Sequence, residues 1–400
     1  MQREIGQQFS VRYSFPVLFT RDAFAPENLT LRDVLRSAGA KQHRVLLALD
    51  SNVAAATPGL AALLAAYAEA HAETFFWSGT PFIVRGGEIC KNDPVEVHAL
   101  HQLVVEQKID RQSFILAIGG GAMLDAIGYA AATAHRGVRL IRMPTTVLGQ
   151  NDAGIGVKNS VNAFGRKNFL GTFAPPFAVV NDAKFLDTLS PRDKRAGIAE
   201  AIKIATIKDA PFLTWMHRER KSLAVFAPAA MEEMIVRCAQ RHIEHVGSAD
   251  PFETGSARPL DFGHWSAHCL EEMTSADASG ALRHGEAVAI GCALDSLYAF
   301  AKGLITQAEL SLLFETLEGI GFTLFHEALL KMNIEEALAS FREHLGGEMC
   351  ITLPDGLGRK RELHEIDLPL MHRCIAQLAE RSARPPSRDA NPTGVERATG

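Results

Sequence analysis

The chain has 400 residues, of which 47% are hydrophobic and 22% charged, and its 41 basic and 46 acidic side chains leave a formal charge of −5. That length exceeds one ordinary domain and suffices for two sharing a cleft. The charges are interspersed, with no basic stripe to track a phosphate backbone, and no apolar run approaches the ~18 residues of a membrane span, so neither nucleic acid nor a membrane is an expected partner.

The N-terminus, MQREIGQQFSVRYSF, lacks the apolar core of a secretory signal, which makes a cytoplasmic location the expectation. The six cysteines (Cys90, Cys238, Cys269, Cys292, Cys350, Cys374) form no CxxC and no framework spacing, so reduced, mostly buried thiols are expected.

In chain order, alternating apolar positions in FSVRYSFPVLF predict a first strand. HRVLLALD (His43 to Asp50) predicts a second, ending in Asp-Ser-Asn and followed by the alanine-rich helical stretch GLAALLAAYAEAHA. TFFWS reads as a strand, DPVEVHALHQLVVEQ as a helix opened by Asp93 and Pro94, and FILAIGG and GVRLIRMP as two further strands. Strands alternating with helices predict an α/β domain with a parallel, doubly wound sheet whose ligands sit at the strands' carboxyl ends. From SPRD onward the pattern turns almost wholly helical, with Ser190 as N-cap, Pro191 in the first helical position and Asp193 third. The expected organisation is an α/β domain over residues 1–190, a helical domain over 191–380, and a tail over 381–400 whose proline, glycine and charge without periodicity predict disorder.

Four motifs carry chemistry. AIGGGAMLDAIG runs a strand through three glycines into a helix containing Asp125, which suits a pyrophosphate on the helix's N-terminal amides but also suits a plain tight turn. The strand ends ALDSN and MPTT add polar groups at the same sheet edge and favour a dinucleotide. Next, GQNDAGIGVKNSVNAFGRKNFLG forms a long polar loop with Asp152, Lys158, Lys167 and Asn168; it suits a small phosphorylated ligand, the alternative being an ordinary solvated loop. In AGIAEAIKIATIKD, Glu200 and Lys203 share one helix face amid residues that look buried, either as a surface ion pair or as a charged pair needing a partner or a metal. Finally, DFGHWSAH places His264 and His268 four apart, and LRHGEAVAIG supplies His284. With Glu200 they could build a two-histidine, one-carboxylate shell with an open position, suited to zinc, or they could be satisfied core histidines.

The order GGEICK, IGGGAMLDAIG, HRGVRLIRMPTTVLGQNDAGIGVK, RKNFLGTF, FLDTLSPRDKRAGIAEAIK, DFGHWSAH and HGEAVAIG resembles the sugar phosphate cyclases, the superfamily of 3-dehydroquinate synthase, over roughly residues 40 to 300. The resemblance implies an N-terminal Rossmann-like NAD-binding domain, an all-α C-terminal metal-binding domain and a homodimer. By residue matching it implies Glu200, His264 and His284 as ligands of zinc or cobalt, and His268 as an active-site histidine that contacts substrate. Asp50, Asn52, Glu88, Lys91, Gly120, Gly121, Asp125, Thr145, Thr146 and Thr188 fall on cofactor positions. Asp152, Lys158, Lys167, Asn168 and Lys203 fall on substrate-facing positions, and Arg136 would reach the phosphate from the partner subunit. The implied reaction takes a seven-carbon sugar phosphate through oxidation of one hydroxyl at NAD+, loss of phosphate from the acidified neighbour, return of the hydride and an intramolecular aldol closure, leaving NAD unchanged.

The sequence departs from 3-dehydroquinate synthases where they carry GLRxxLNxGH. Here SARPLDFGH puts Ala257 at the arginine position and Asp261 at the asparagine position, with Arg258 one residue off register. Near the upstream lysine position stand Arg241, His242 and Ile243, and the late lysine motif is replaced by a segment with Arg342 and His344. An aspartate where a carboxylate should bind would repel it. These features resemble the branch that cyclises sedoheptulose 7-phosphate, the 2-epi-5-epi-valiolone synthases; 3-dehydroquinate synthase itself is the alternative. A metal-dependent polyol dehydrogenase is less compatible with the cluster of Arg136, Lys158, Lys167 and Asn168, because a simple polyol has no phosphate to hold. A non-catalytic relative would be expected to lose metal ligands, and all three are present.

Overall fold

The computed structural model describes residues 3–92, 94–248, 252, 259–275, 280–345 and 347–383. Its centre is a seven-stranded sheet of β1 (Val17–Thr20), β2 (His43–Asp50), β3 (Phe75–Trp77), β4 (Phe82–Val84), β5 (Phe114–Gly119), β6 (Arg139–Pro144) and β9 (Ala178–Asp182). The order is β1-β9-β6-β5-β2-β3, with β4 also pairing β2, and every pairing is parallel. β5 is buried along its whole length. Phe114, Leu116 and Ile118 join one apolar core while Ile115 and Ala117 join another on the opposite face, as a strand between two helical layers must.

The first strand is shorter than the alternation suggests. β1 begins only at Val17, because its partner β9 offers five residues, and Phe9, Val11 and Tyr13 remain exposed without a neighbouring strand. The polar stretch after β6 is not the open loop expected. Gly149–Ala153 makes a π-helical turn, and β7 (Lys158–Ala163) and β8 (Arg166–Phe173) form an antiparallel hairpin. Phe164 and Gly165, both at positive φ (53° and 72°), turn the chain as a two-residue primed turn requires.

Beyond β9 the chain is helical around a second core, as expected, except for a hairpin of β10 (Ile351–Pro354) and β11 (Lys360–Leu363) that packs its buried β10 against the His284–Ala301 helix. Ser190 caps the Pro191–Lys208 helix by accepting from the Asp193 amide, with Pro191 at its start. The last helix, Leu368–Ala383, runs past the expected tail boundary, and its Arg381 makes a two-pronged pair with Glu318 at 3.0 and 2.8 Å. Residues 384–400, Asp93 and Arg258 lie outside the described residues. All six cysteines are free, and among the described residues no helix is long and apolar enough to cross a membrane.

Candidate active site

The Pro191–Lys208 helix buries an unbroken run from Gly197 to Ile207, so Glu200 and Lys203 are only 2% and 4% exposed at the side chain. They pair directly, as their three-residue spacing predicted. Two more helices converge on them. His264 begins the His264–Thr274 helix and His284 begins the His284–Ala301 helix. The latter can come close because Gly285 has no side chain: a Cβ there would lie 1.8 Å from the Ala196 carbonyl oxygen.

Glu200 Oε1 lies 3.9 Å from His264 Nε2 and 3.6 Å from His284 Nε2, too far for hydrogen bonds, and this buried oxygen has no hydrogen-bond partner. Ligands ~2.1 Å from a tetrahedral ion stand ~3.4 Å apart, so an orphaned carboxylate oxygen ringed at this spacing suits a small divalent cation better than it suits a protein contact. Glu200, His264 and His284 form one group whose potential ligand atoms lie within 4.8 Å of one another.

Each imidazole is held by its other nitrogen. His264 Nδ1 is 3.1 Å from the Phe262 carbonyl, which can only accept, so the proton sits on Nδ1 and the Nε2 lone pair faces Glu200. His284 Nδ1 is 3.1 Å from Glu271 Oε2, the carboxylate–histidine arrangement that orients metal ligands. Glu271 was not singled out in the sequence, where it reads as an ordinary helix-surface acid in CLEE.

The charges follow this packing. Burial, with Lys203, His284 and His268 nearby, drives His264 well below the usual histidine range and keeps it neutral. Burial opposes charge on His284, but Glu200 and Glu271 outweigh it and push the ring up to about 10. Burial would raise Glu200, yet Lys203 and His284 hold it down at about 2. Lys203 stays charged despite its burial because Glu200, Asp152 and Asp261 surround it. Burial would likewise raise Asp152, but His242, whose Nδ1 is 3.0 Å from Asp152 Oδ1, keeps it low.

His268 lies at the rim. It is exposed, and its ring stands 5.5 Å from that of His264 and 6.3 Å from that of Phe341. Arg342 is exposed on the Ile334–His344 helix, which packs against the helix carrying His268. The His344 side chain lies outside the described residues.

At the sheet, the polar residues gather at the carboxyl ends of β2, β5 and β6. Asp50 accepts from the Asn52 amide at 2.8 Å and is raised by burial, against the pull of the amides of Asn52 and Gly120. Gly86 lies against both: a Cβ there would fall 2.2 Å from Asn52 Nδ2 and 2.4 Å from Asp50 Oδ1. The Gly121–Thr133 helix starts after Gly120 with no side chain capping its amides. Thr145 is buried beside Gly119, and Thr146 Oγ1 accepts from the Gly149 amide at 2.9 Å.

Two expected groups merge into one. Buried Lys91 reaches Asp125 Oδ2 at 2.7 Å, Ser160 Oγ at 3.2 Å and Asn168 Oδ1, tying the dinucleotide-type helix to the hairpin. Glu88 accepts from Asn162 of the same hairpin at 3.0 Å. Lys158 and Lys167 are exposed; burial would raise the Glu271 carboxyl, but His284 holds it low, with Lys167 adding to the pull. Thr188 is exposed at the end of a 3-10 turn, its hydroxyl donating to the Phe185 carbonyl. Arg136 is also exposed and sits with His135 in the left-handed region (φ 61° and 51°). Among the described residues no hydrogen bond or ion pair joins Arg136 to the rest of the site.

Comparison with known proteins agrees with this architecture. Residues 81–196 match the family described as 3-dehydroquinate synthase N-terminal, and residues 197–344 match 3-dehydroquinate synthase C-terminal. The 3-dehydroquinate synthase of Bartonella tribocorum is 33% identical over 315 residues, covering 78% of this chain and 79% of that one. That of Dichelobacter nodosus is 34% identical over 285 residues, 71% of this chain and 76% of its own. Among solved structures, ValA, the 2-epi-5-epi-valiolone synthase of Streptomyces hygroscopicus subsp. jinggangensis with NAD+ and Zn2+ bound, superposes with a TM-score of 0.81 at 28% identity, covering 94% of this chain and 99% of its own. A 2-deoxy-scyllo-inosose synthase shares the fold at a TM-score of 0.71 and 22% identity, covering 91% and 96%. The fold together with these matches defines a lyase of the sugar phosphate cyclase superfamily. The chain belongs to the 3-dehydroquinate synthase family.

Proposed function

We propose that this enzyme cyclises a seven-carbon sugar phosphate without a carboxylate, sedoheptulose 7-phosphate, to a cyclitol with loss of inorganic phosphate. The observation that carries the reading is Asp261 in SARPLDFGH, which stands at the position where 3-dehydroquinate synthases carry asparagine and which adds to Glu200 and Asp152 in keeping Lys203 charged against its burial. A substrate carboxylate brought there would meet like charge at a partly desolvated position. The names of the curated relatives favour the alternative, 3-dehydroquinate synthase acting on 3-deoxy-D-arabino-heptulosonate 7-phosphate.

In this reading residues 1–190 form the NAD-binding domain and residues 191–380 the metal- and substrate-binding domain. Bound NAD+ supplies a reversible hydride acceptor, and a zinc or cobalt ion supplies a Lewis acid for vicinal hydroxyls. Glu200, His264 and His284 hold the ion. Asp50, Asn52, Glu88, Lys91, Gly120, Gly121, Asp125, Thr145, Thr146 and Thr188 hold the dinucleotide. Lys158, Lys167 and Asn168 bind the phosphate and stabilise it as it leaves. Lys203 supplies a fixed positive charge beside the reacting carbons. Asp152, paired with His242, and His268 at the rim hold and move protons, while Asp261, Arg342 and His344 line the far end of the substrate.

The exposed apolar side chains of the β7–β8 hairpin, Phe164 in its turn and Phe169, Leu170 and Phe173 along β8, between 40% and 85% exposed, support a homodimer in which Arg136 serves the partner's phosphate site; sedimentation as a monomer would remove that part. A cytoplasmic location belongs to the same reading.

The test is phosphate release from purified protein with NAD+ and Zn2+ or Co2+, comparing the two sugars. Release from sedoheptulose 7-phosphate alone, without net NADH, is expected. Release from the carboxylated sugar alone would replace this reading with 3-dehydroquinate synthase. Asp261→Asn is expected to narrow the preference between the two sugars at least tenfold, about 1.4 kcal/mol, and an unchanged ratio of kcat/KM would show that Asp261 does not set it.

A further inference from the structure

One buried acid remains outside this scheme. Asp295 sits in the middle of the His284–Ala301 helix, fully buried among alanines and leucines. Its Oδ2 accepts from the Gly263 amide at 3.0 Å and its Oδ1 from the Trp265 indole Nε1 at 2.8 Å. Those donors are the two residues flanking His264.

The local backbone explains why such a grip matters. Gly263 precedes the helix at φ 79°, a conformation that costs glycine little and other residues more. Helix and turn are pressed together here: a Cβ on Gly263 would lie 2.7 Å from the Cys292 amide, and one on Gly291 would lie 1.9 Å from the Gly263 carbonyl oxygen. The Trp265 side chain, 1% exposed, is anchored at its indole nitrogen by Asp295. A carboxyl so placed is expensive to bury, and burial pushes it up to about 7 even with two hydrogen bonds pulling it down. An apolar side chain would fill the same space without that cost, so the grip itself needs a purpose.

We propose that Asp295 is a positioning residue for the metal site: by holding Gly263 and Trp265 it fixes the first turn of the His264–Thr274 helix so that His264 Nε2 points where Glu200 and His284 point. One helix would then both donate a ligand, His284, and aim another, His264. The inference rests on the metal reading of Glu200, His264 and His284. It is distinct from the role of Glu271, which contacts a ligand ring directly, and from any substrate contact, since Asp295 is fully buried with both carboxylate oxygens taken by Gly263 and Trp265.

The experiment uses the full-length protein, stripped of metal and titrated with Co2+ against a competing chelator, with the visible absorption of bound Co2+ as a second readout. Asp295→Asn turns one acceptor into a donor facing another donor. It is expected to weaken Co2+ binding by about 10- to 100-fold and to alter the Co2+ band shape, while NAD+ affinity changes less than twofold. Trp265→Phe keeps a ring in place, removes a single hydrogen bond and is expected to give a smaller loss of the same kind; it carries the test if Asp295→Asn does not fold. Should both variants lower the unfolding midpoint while binding Co2+ with wild-type affinity and spectrum, Asp295 is a structural clamp and the proposal is overturned. Glu200→Gln separates the two layers: if it binds Co2+ as well as the wild type, the metal reading fails, and this inference with it.

Discussion

Glu200→Gln is expected to reduce turnover of the sugar phosphate at least a thousandfold. The substitution keeps shape and volume but removes the negative charge from the one oxygen that faces both His264 Nε2 and His284 Nε2 without a partner of its own. A neutral amide is a poor ligand for zinc or cobalt, and the Lewis acid contributes several kcal/mol to charge stabilisation, of which ~4 kcal/mol is already a factor of ~1,000 in rate. It also takes from Lys203 its directly paired carboxylate, leaving Asp152 and Asp261 to compensate the buried ammonium. Phosphate release and metal content measured on the same preparation check this, and His284→Ala should behave alike. Full activity in metal-stripped wild-type protein would sink the mechanism.

The largest effect on stability is expected at Arg142. This β6 side chain is fully buried, and burial pulls its guanidinium down to about 10, yet it donates to the carbonyls of Gly154, Gly156 and Lys158 at 3.2, 2.9 and 3.0 Å and to Asn159 Oδ1 at 2.5 Å. These bonds tie the segment between Asp152 and β7 to the sheet. Arg142→Met would leave four acceptors without donors at about 1 kcal/mol or more each, so a loss of about 3–5 kcal/mol is expected in chemical denaturation. The KM for the sugar phosphate should rise as Asp152 and Lys158 lose their placement. Arg142→Lys should rescue little, because an ammonium cannot reproduce the planar fork. A loss under ~1 kcal/mol would mean that the segment holds its course without the guanidinium.

Much of this was legible locally. β2 is the octapeptide read from HRVLLALD, β5 lies within FILAIGG, and Ser190 with Pro191 opens the helix that SPRD announces. Glu200 and Lys203 had to share a face, since three residues bring a helix nearly full turn. Such features depend on neighbours within one or two turns of chain, and periodicity encodes them directly.

Other features depend on what packs against what. His264 and His268 are equivalent by spacing, but only His264 lies where the Glu200 and His284 helices converge, and His268 is left at the rim. The apolar alternation before Val17 predicts more strand than forms, because a strand needs a partner of matching length and β9 has five residues. Phe164 and Gly165 turn what reads as a polar loop into a hairpin, and only that hairpin carries Ser160 and Asn168 to Lys91. Arg142 looks like any charge in a strand, Glu271 like a surface acid and Asp295 like a polar break in an apolar helix, until their partners arrive from distant segments. Burial and hydrogen bonding across such distances follow from three-dimensional packing, which no local pattern records, and the same packing converts separately readable histidines and acids into one site.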